Sequence, residues 1–182
     1  MRELILGGQK SGKSRTAEER ARSWLAVTGH QAVLLATAQA WDDEMSARIE
    51  RHRRVRALRV PALTTVEASG DLAQAMATHG ASDTLLVIDC LTLWLTQRLM
   101  PFHGPAAPDL PAQTDALVAA IAAAAGPVVL VSNEIALGVV PVDAATRRFV
   151  DAIGVLHQRV AVACERVTLM VAGCELAVKG KR

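Results

Sequence analysis

The segment Gly7-Gly8-Gln9-Lys10-Ser11-Gly12-Lys13-Ser14 has the spacing G-x-x-x-x-G-K-[ST] and directly follows the apolar run Leu4-Ile5-Leu6. Glycines at those positions let the backbone turn tightly, so that successive N–H groups converge on phosphate oxygens at a helix N-terminus. Lys13 would then bring a point charge to the β- and γ-phosphates, and the Ser14 hydroxyl is suited to ligate Mg2+. Arg15 to Val27, rich in Ala, Glu, Arg and Leu and free of Pro and Gly, reads as the helix such a loop must open. The pattern predicts a nucleoside triphosphate site.

Two further groups carry chemistry. Asp89 closes the run Thr84-Leu85-Leu86-Val87-Ile88, and an acid at a strand's carboxyl end is the arrangement that holds Mg2+ beside a phosphate loop. Cys90 to Leu95 reads as a helix, so capping that helix is the alternative role for Asp89. The segment 42–56 gathers acids at its front and Arg48, Arg51, Arg53, Arg54 and Arg56 at its back, which complements a helix dipole. On it Met45, Ile49 and His52 share one helical face, turning the imidazole toward the domain. Guanidinium groups at this density suit bidentate phosphate contacts. A histidine among them, with an ordinary pKa of about 6.5, is available as a neutral nucleophile toward phosphorus. A solvated basic helix end with an idle histidine fits the same residues.

These groups need strands and helices to hold them. The runs Leu4 to Leu6, Ala32 to Ala36, Leu85 to Ile88, Val128 to Val131 and Val167 to Val171 alternate with helical segments. That alternation predicts an α/β fold, a mostly parallel sheet with helices on both faces. Leu176-Ala177-Val178 follows the last run too closely for a crossover helix, which predicts a C-terminal antiparallel hairpin. Asn133 and Glu134 lie just past a strand, at the carboxyl end where open α/β sheets bind ligands. Glu134 suits polarising a substrate hydroxyl or holding metal-bound water, and it equally suits capping. Arg147 and Asp151 stand four apart, as an ion pair on a helix would.

Composition bounds the rest. A chain of 182 residues, 51% hydrophobic, can bury a full core and is expected to form one domain over 1–182. Four of its seven prolines fall between Pro101 and Pro111, with His103, Gly104 and Asp109 among them, so a loop or lid is expected at about 101–112. A net charge of +2 argues against nucleic acid as a partner. Cys90, Cys164 and Cys174 fit neither a disulfide framework nor a metal array and read as buried thiols of a reduced compartment. The phosphate loop begins at Gly7, where an export segment would have to run. The most apolar stretch, Ala116 to Val131, is broken by Gly126-Pro127 and falls short of the roughly twenty residues of a membrane span. A soluble cytoplasmic protein is expected.

Several motifs now stand in one order: the loop of 7–14, Ala-Thr-Ala of 36–38, Asp-x-Glu-Met of 42–45 and Arg-Ile-x-x-His-Arg of 48–53. Asp-Cys-Leu-Thr-Leu-Trp-Leu of 89–95, Val-Ser-Asn-Glu of 131–134, Gly-x-Val-Pro of 138–141 and Arg-x-Phe-x-Asp of 147–151 continue it. Together, from about residue 3 to residue 179, they resemble the bifunctional adenosylcobinamide kinase/adenosylcobinamide-phosphate guanylyltransferase family of cobalamin biosynthesis. The resemblance implies a phosphate-loop NTPase fold of RecA-like type, a homotrimer, and two reactions. ATP or GTP would phosphorylate adenosylcobinamide, and GMP would pass from GTP to the resulting phosphate through a guanylylated histidine.

By motif position that histidine is His52. The implied nucleotide contacts are Gly7, Gly8, Gln9, Lys10, Ser11, Gly12, Lys13 and Ser14, then Ala36, Thr37, Ala38, Arg53, Arg54, Val55, Arg56, Glu67 and Asp89. Lys13 is the implied catalytic cation, and Mg2+ would sit on Ser14 and Asp89. Position 157 is His beside Gln158, where some members carry Asn-Gln. The alternatives are a single-activity phosphate-loop kinase of another small metabolite, which has no need of His52, and a nucleotide-dependent switch protein binding an acidic partner or RNA.

Overall fold

The computed structural model describes residues 1–102 and 104–180; His103, in the proline-rich stretch, lies outside them. The chain runs β1 (Arg2–Gly7), α1 (Lys13–Leu25), β2 (Gln31–Ala36), α2 (Asp43–Arg59), β3 (Thr64–Glu67), α3 (Leu72–His79) and β4 (Thr84–Asp89). It continues through α4 (Leu91–Leu99), α5 (Leu110–Ala123), β5 (Val128–Val131), α6 (Ala144–Ala163), β6 (Arg166–Val171) and β7 (Cys174–Lys179). One seven-stranded sheet has the order β3-β2-β4-β5-β1-β6-β7. Every pairing is parallel except the terminal β6–β7 hairpin.

The central strands are apolar throughout because both faces are covered, as parallel sheets require. Leu4, Leu86, Ile88 and Leu130 point into a cluster with Met76 of α3, Leu91 and Trp94 of α4, Leu117 of α5 and Ile153 of α6. Their neighbours Ile5, Leu85, Val87, Val129 and Val131 point the other way, onto Ala17 and Ala21 of α1 and onto Val60 and Leu63. Asp42, Asp71, Asp109 and Asp143 each cap a helix by accepting a backbone N–H, a recurrent device for satisfying orphan donors.

The expected α/β sheet and hairpin are present. Two elements carry no marked sequence signal: the exposed edge strand β3 and the short α3. The helix α5 starts at Leu110, inside the stretch expected as loop, because Asp109 caps it and Pro111 fits an early helical position. Cys90 and Cys164 are buried, whereas Cys174 on the edge strand β7 is exposed, which corrects the expectation of three buried thiols. Burial pushes the Cys90 thiol up to about 11 and the Cys164 thiol up to about 12. The expected Arg147–Asp151 pair also gives way: Arg147 donates instead to the carbonyls of Pro141 and Val142 and so closes the turn into α6. Among the described residues no helix is long and apolar enough to cross a membrane.

β5 is inserted between β1 and β4, with Asp89 opposite Val131 and Ile5 opposite Val131 on the other side. The carboxyl tips of β1, β5 and β4 therefore stand in a row.

Candidate functional site

β1 delivers the chain to Gly7, whose φ of +153° would strain any L side chain and whose added Cβ would stand 2.6 Å from the Met170 carbonyl oxygen. Gly12, at φ +106°, caps α1. The Lys13 ammonium lies buried, donating to the Gly7 oxygen at 2.9 Å and the Gly8 oxygen at 2.7 Å. Burial lowers its pKa, against the opposing pull of Cys90 and Asp89. The carboxylate of Asp89 thus acts electrostatically on the loop lysine.

α2 forms the facing wall. It is capped by Asp42, which accepts from the Met45 amide at 2.6 Å, and it presents Met45, Ile49, His52 and Arg56 inward in one stripe. Met45 and Ile49 are half-buried, His52 remains exposed, and Arg56 is the one buried residue of the helix. Arg56 sits 3.8 Å from the Asp89 carboxylate and 3.9 Å from Glu18, and its guanidinium donates to the Thr65 hydroxyl at 3.2 Å. The His52 ring lines the cavity while the residue stays in contact with solvent. Partial burial lowers its pKa below 6.5, with Arg48, Arg56 and Arg51 adding to the effect and Asp89 opposing it.

Between these walls lies a cavity of about 650 Å3, lined by Gln9, Lys10, Ser11, Gly12, Lys13, Ser14, Ala36, Ala38, His52, Arg53, Arg56 and Asp89. It is within the volume range of small-ligand sites. Gly7 and Gly8 lie beneath it as acceptors of the lysine. Thr37 is fully buried, bridging to Cys90 by donating to its carbonyl at 2.7 Å and accepting its amide at 2.9 Å. Arg54 and Val55 are exposed and line neither this cavity nor its neighbour.

Glu67 pairs with Arg53 at the rim of a second cavity of about 1080 Å3 that shares Ala38, Ile49 and Arg53 with the first. This second space is walled by Gln39, Trp41, Gln97, Met100, Pro101, Phe102 and Gln113, with the Trp41 and Phe102 rings stacked 6.0 Å apart. Sequence reasoning missed it, because its walls come from the segment after β2, the end of α4 and the proline-rich stretch. Trp41 after β2 and Phe102 within that stretch are distant in sequence and give no joint signal.

Ser14 and Asp89 offer a hydroxyl and a carboxylate to one cavity, the hard oxygen donors that Mg2+ takes when phosphates and water complete its shell. Among the described residues no group of three His, Cys, Asp or Glu could hold a metal. The donor set therefore fits an ion carried in with a nucleotide.

Beyond β5, the side chain of Glu134 leaves the cavity. Its carboxylate accepts from the Ala136 amide at 2.8 Å and faces His157 Nδ1 at 3.7 Å, while Asn133 lines the cavity. Sequence reasoning placed both residues at the ligand-binding edge without separating their directions.

A family model described as cobinamide kinase / cobinamide phosphate guanyltransferase matches residues 3–178. A protein named bifunctional adenosylcobalamin biosynthesis protein CobP, from Pseudomonas aeruginosa, is 44% identical over 182 residues, covering 100% of this chain and 99% of that one. The Escherichia coli protein named bifunctional adenosylcobalamin biosynthesis protein CobU is 33% identical, covering 97% of this chain and 98% of the relative. Among solved structures, the flagellar accessory protein FlaH of Methanocaldococcus jannaschii superposes with a TM-score of 0.54 at 10% identity, over 99% of this chain and 78% of that one. That likeness concerns the fold alone.

Proposed function

The chain belongs to the cobinamide kinase / cobinamide phosphate guanyltransferase family, and from that premise we propose that one nucleotide cavity serves both reactions of an adenosylcobinamide kinase and adenosylcobinamide-phosphate guanylyltransferase. The observation that carries the reading is the shared cavity: the phosphate loop with Lys13 forms one wall and His52 with its arginines the other. A kinase of the phosphate-loop type alone would need only the first wall.

In the kinase reaction the hydroxyl oxygen of adenosylcobinamide attacks the γ-phosphorus of ATP or GTP. The bond to the bridging oxygen breaks, and the hydroxyl proton passes to solvent. Lys13 and the loop amides neutralise charge growing on the leaving diphosphate, the electrostatic work that dominates phosphoryl transfer. Mg2+, held by Ser14 and Asp89, would add Lewis-acid charge at the phosphates.

In the second reaction a neutral nitrogen of His52 attacks the α-phosphorus of GTP and pyrophosphate leaves. A phosphate oxygen of adenosylcobinamide phosphate then displaces the histidine and forms the new P–O–P linkage, with His52 returned to its starting state. The depressed pKa of His52 keeps the imidazole unprotonated at neutral pH. Arg53 and Arg56, which line the same cavity, would hold the guanylyl phosphate during both displacements.

The corrinoid acceptor takes the second cavity. A planar aromatic pair suits the macrocycle, Gln39, Gln97 and Gln113 suit its amide side chains, and the shared rim at Arg53 leads the reacting hydroxyl toward the phosphates. We further propose a homotrimer in the cytoplasm, as the resemblance implies. Leu137, Val139, Val140 and Val142, each at least 74% exposed, supply apolar surface for a subunit contact.

The test is turnover of adenosylcobinamide with Mg2+ and GTP, read by product mass. Sequential appearance of the phosphate and the GDP derivative supports the reading, and phosphate alone supports the single-activity kinase. Trp41→Ala should raise KM for the corrinoid about tenfold, from the loss of a stacking platform worth ~1 kcal/mol or more, and leave acceptor-independent labelling of His52 unchanged. Equal effects on both would remove the acceptor from that cavity.

A further inference from the structure

Asn133 stands in the nucleotide cavity at the end of a backbone tied down on every side. The Ser132 amide donates to the Ile5 oxygen at 3.0 Å, the Asn133 amide to the Thr92 hydroxyl at 2.8 Å, and the Glu134 amide to the Gly7 oxygen at 2.9 Å. That Gly7 oxygen is the one the Lys13 ammonium also reaches, at 2.9 Å. Asn133 is therefore one peptide removed from an atom that touches the loop lysine, and it lies between the tips of β1 and β4.

Behind it runs a buried polar chain. Ser132 Oγ lies 3.1 Å from Thr92 Oγ1 and 2.7 Å from His157 Nε2, and His157 Nδ1 faces the Glu134 carboxylate at 3.7 Å. Ser132 is fully buried and His157 is 7% exposed. With the His157 ring neutral, as its burial favours, one proton order presents a hydrogen to the carboxylate: His157 carries its proton on Nδ1 toward Glu134, Ser132 donates to Nε2, and Thr92 donates to Ser132. Thr92 is left to accept from the Asn133 amide. Thr92, Ser132 and His157 Nε2 are thereby joined by hydrogen bonds, with the Glu134 carboxylate an electrostatic neighbour of Nδ1, and polar networks of this kind favour a single arrangement.

We infer that Asn133 is a catalytic contact for the terminal phosphate of the nucleotide, its side-chain amide stabilising the γ-phosphoryl group in flight, and that His157 is a positioning residue acting through Ser132 and Glu134. The phosphate end follows from the neighbours: a phosphate-loop lysine reaches the β- and γ-phosphates, and Asn133 shares its corner, whereas His52 approaches from the opposite wall. The inference rests on the two-reaction reading and divides the labour within it. Attack on γ needs Asn133; attack on α by His52 does not.

The experiment measures two rates on each purified variant: kinase turnover with adenosylcobinamide and GTP, and acceptor-independent labelling of His52 by GTP radiolabelled at the α-phosphate. Asn133→Ala should lower kinase kcat about a hundredfold, as removal of one transition-state donor does, with nucleotide KM within about threefold and His52 labelling within about tenfold of wild type. His157→Leu should move kinase kcat the same way, and His157→Gln, which keeps a donor and an acceptor in place, should restore most of it with an unchanged KM. Kinase kcat in Asn133→Ala within threefold of wild type, or both rates falling equally, would overturn the assignment. Failure of His157→Gln to restore kcat while it melts like wild type would overturn the positioning role. Wild-type protein that phosphorylates but takes no label would sink the guanylyl half of the function, and the kinase rates would still decide Asn133.

Discussion

Replacing Arg56 by methionine tests how α2 is held over the cavity. Arg56 is the only buried side chain of that helix, 8% exposed, facing Glu18 at 3.9 Å and Asp89 at 3.8 Å. At such distances each carboxylate contributes ~4 kcal/mol of attraction under an effective dielectric near 20. Desolvation of the three charges offsets most of it, and removing one partner of a buried pair costs about 3–5 kcal/mol. Neither carboxylate is within direct hydrogen-bond reach, which places this case near ~3 kcal/mol.

The loss falls on the docking of α2, because no other residue of the helix is buried. A penalty of ~3 kcal/mol lowers the docking equilibrium constant about a hundredfold, which for a helix with one buried anchor turns the docked state from favoured to minor. Single-turnover labelling of His52 at saturating GTP should slow by about tenfold or more, and by at most about a hundredfold, in Arg56→Met. Arg59→Met is the control: it removes a half-exposed partner of the same Glu18, at 3.1 Å, and exposed pairs are worth ~1 kcal/mol or less. Labelling in Arg56→Met within fivefold of wild type would refute the anchoring argument.

Three other outcomes are expected. Because burial and neighbouring guanidiniums hold the His52 pKa below 6.5, labelling should fall with acid to a midpoint below pH 6.5, in stopped reactions at saturating GTP; a midpoint at or above 6.5 would contradict this. Gly7→Ala forces a Cβ against the Met170 carbonyl at φ +153°, so the melting temperature should drop by several degrees and calorimetric GTP affinity by at least about tenfold, and unchanged values would show that the loop relaxes freely. Burial also depresses the His157 pKa below 6.5, so the unfolded chain binds the proton first; the stability it contributes is whole above pH 6.5 and is lost as pH falls through the folded value, and urea midpoints of His157→Gln should vary less between pH 7 and 5 than those of wild type.

The phosphate loop and the strand tips were legible because each is a local pattern: a glycine spacing after an apolar run, an acid closing another. α2 was half legible. Its periodicity placed Met45, Ile49 and His52 on one face, yet the side chain that anchors it is Arg56, an arginine in a run of arginines with nothing in the spacing to single it out. β3 was not legible, since Thr64–Glu67 is an exposed edge with no apolar alternation. The chain from Thr92 through Ser132 to His157 and Glu134 could not be read at all, because its members meet only when α4, β5 and α6 pack on one face of the sheet. The second cavity escaped notice for the same reason.

The central claim is that His52 carries the guanylyl group. Purified protein is incubated with Mg2+ and GTP radiolabelled at the α-phosphate, then run on a denaturing gel before and after acid and base treatment. The account predicts a protein-bound label that acid removes and base does not, absent from His52→Ala. Wild-type protein that binds GTP and takes up no label, or label that persists in His52→Ala, would contradict it.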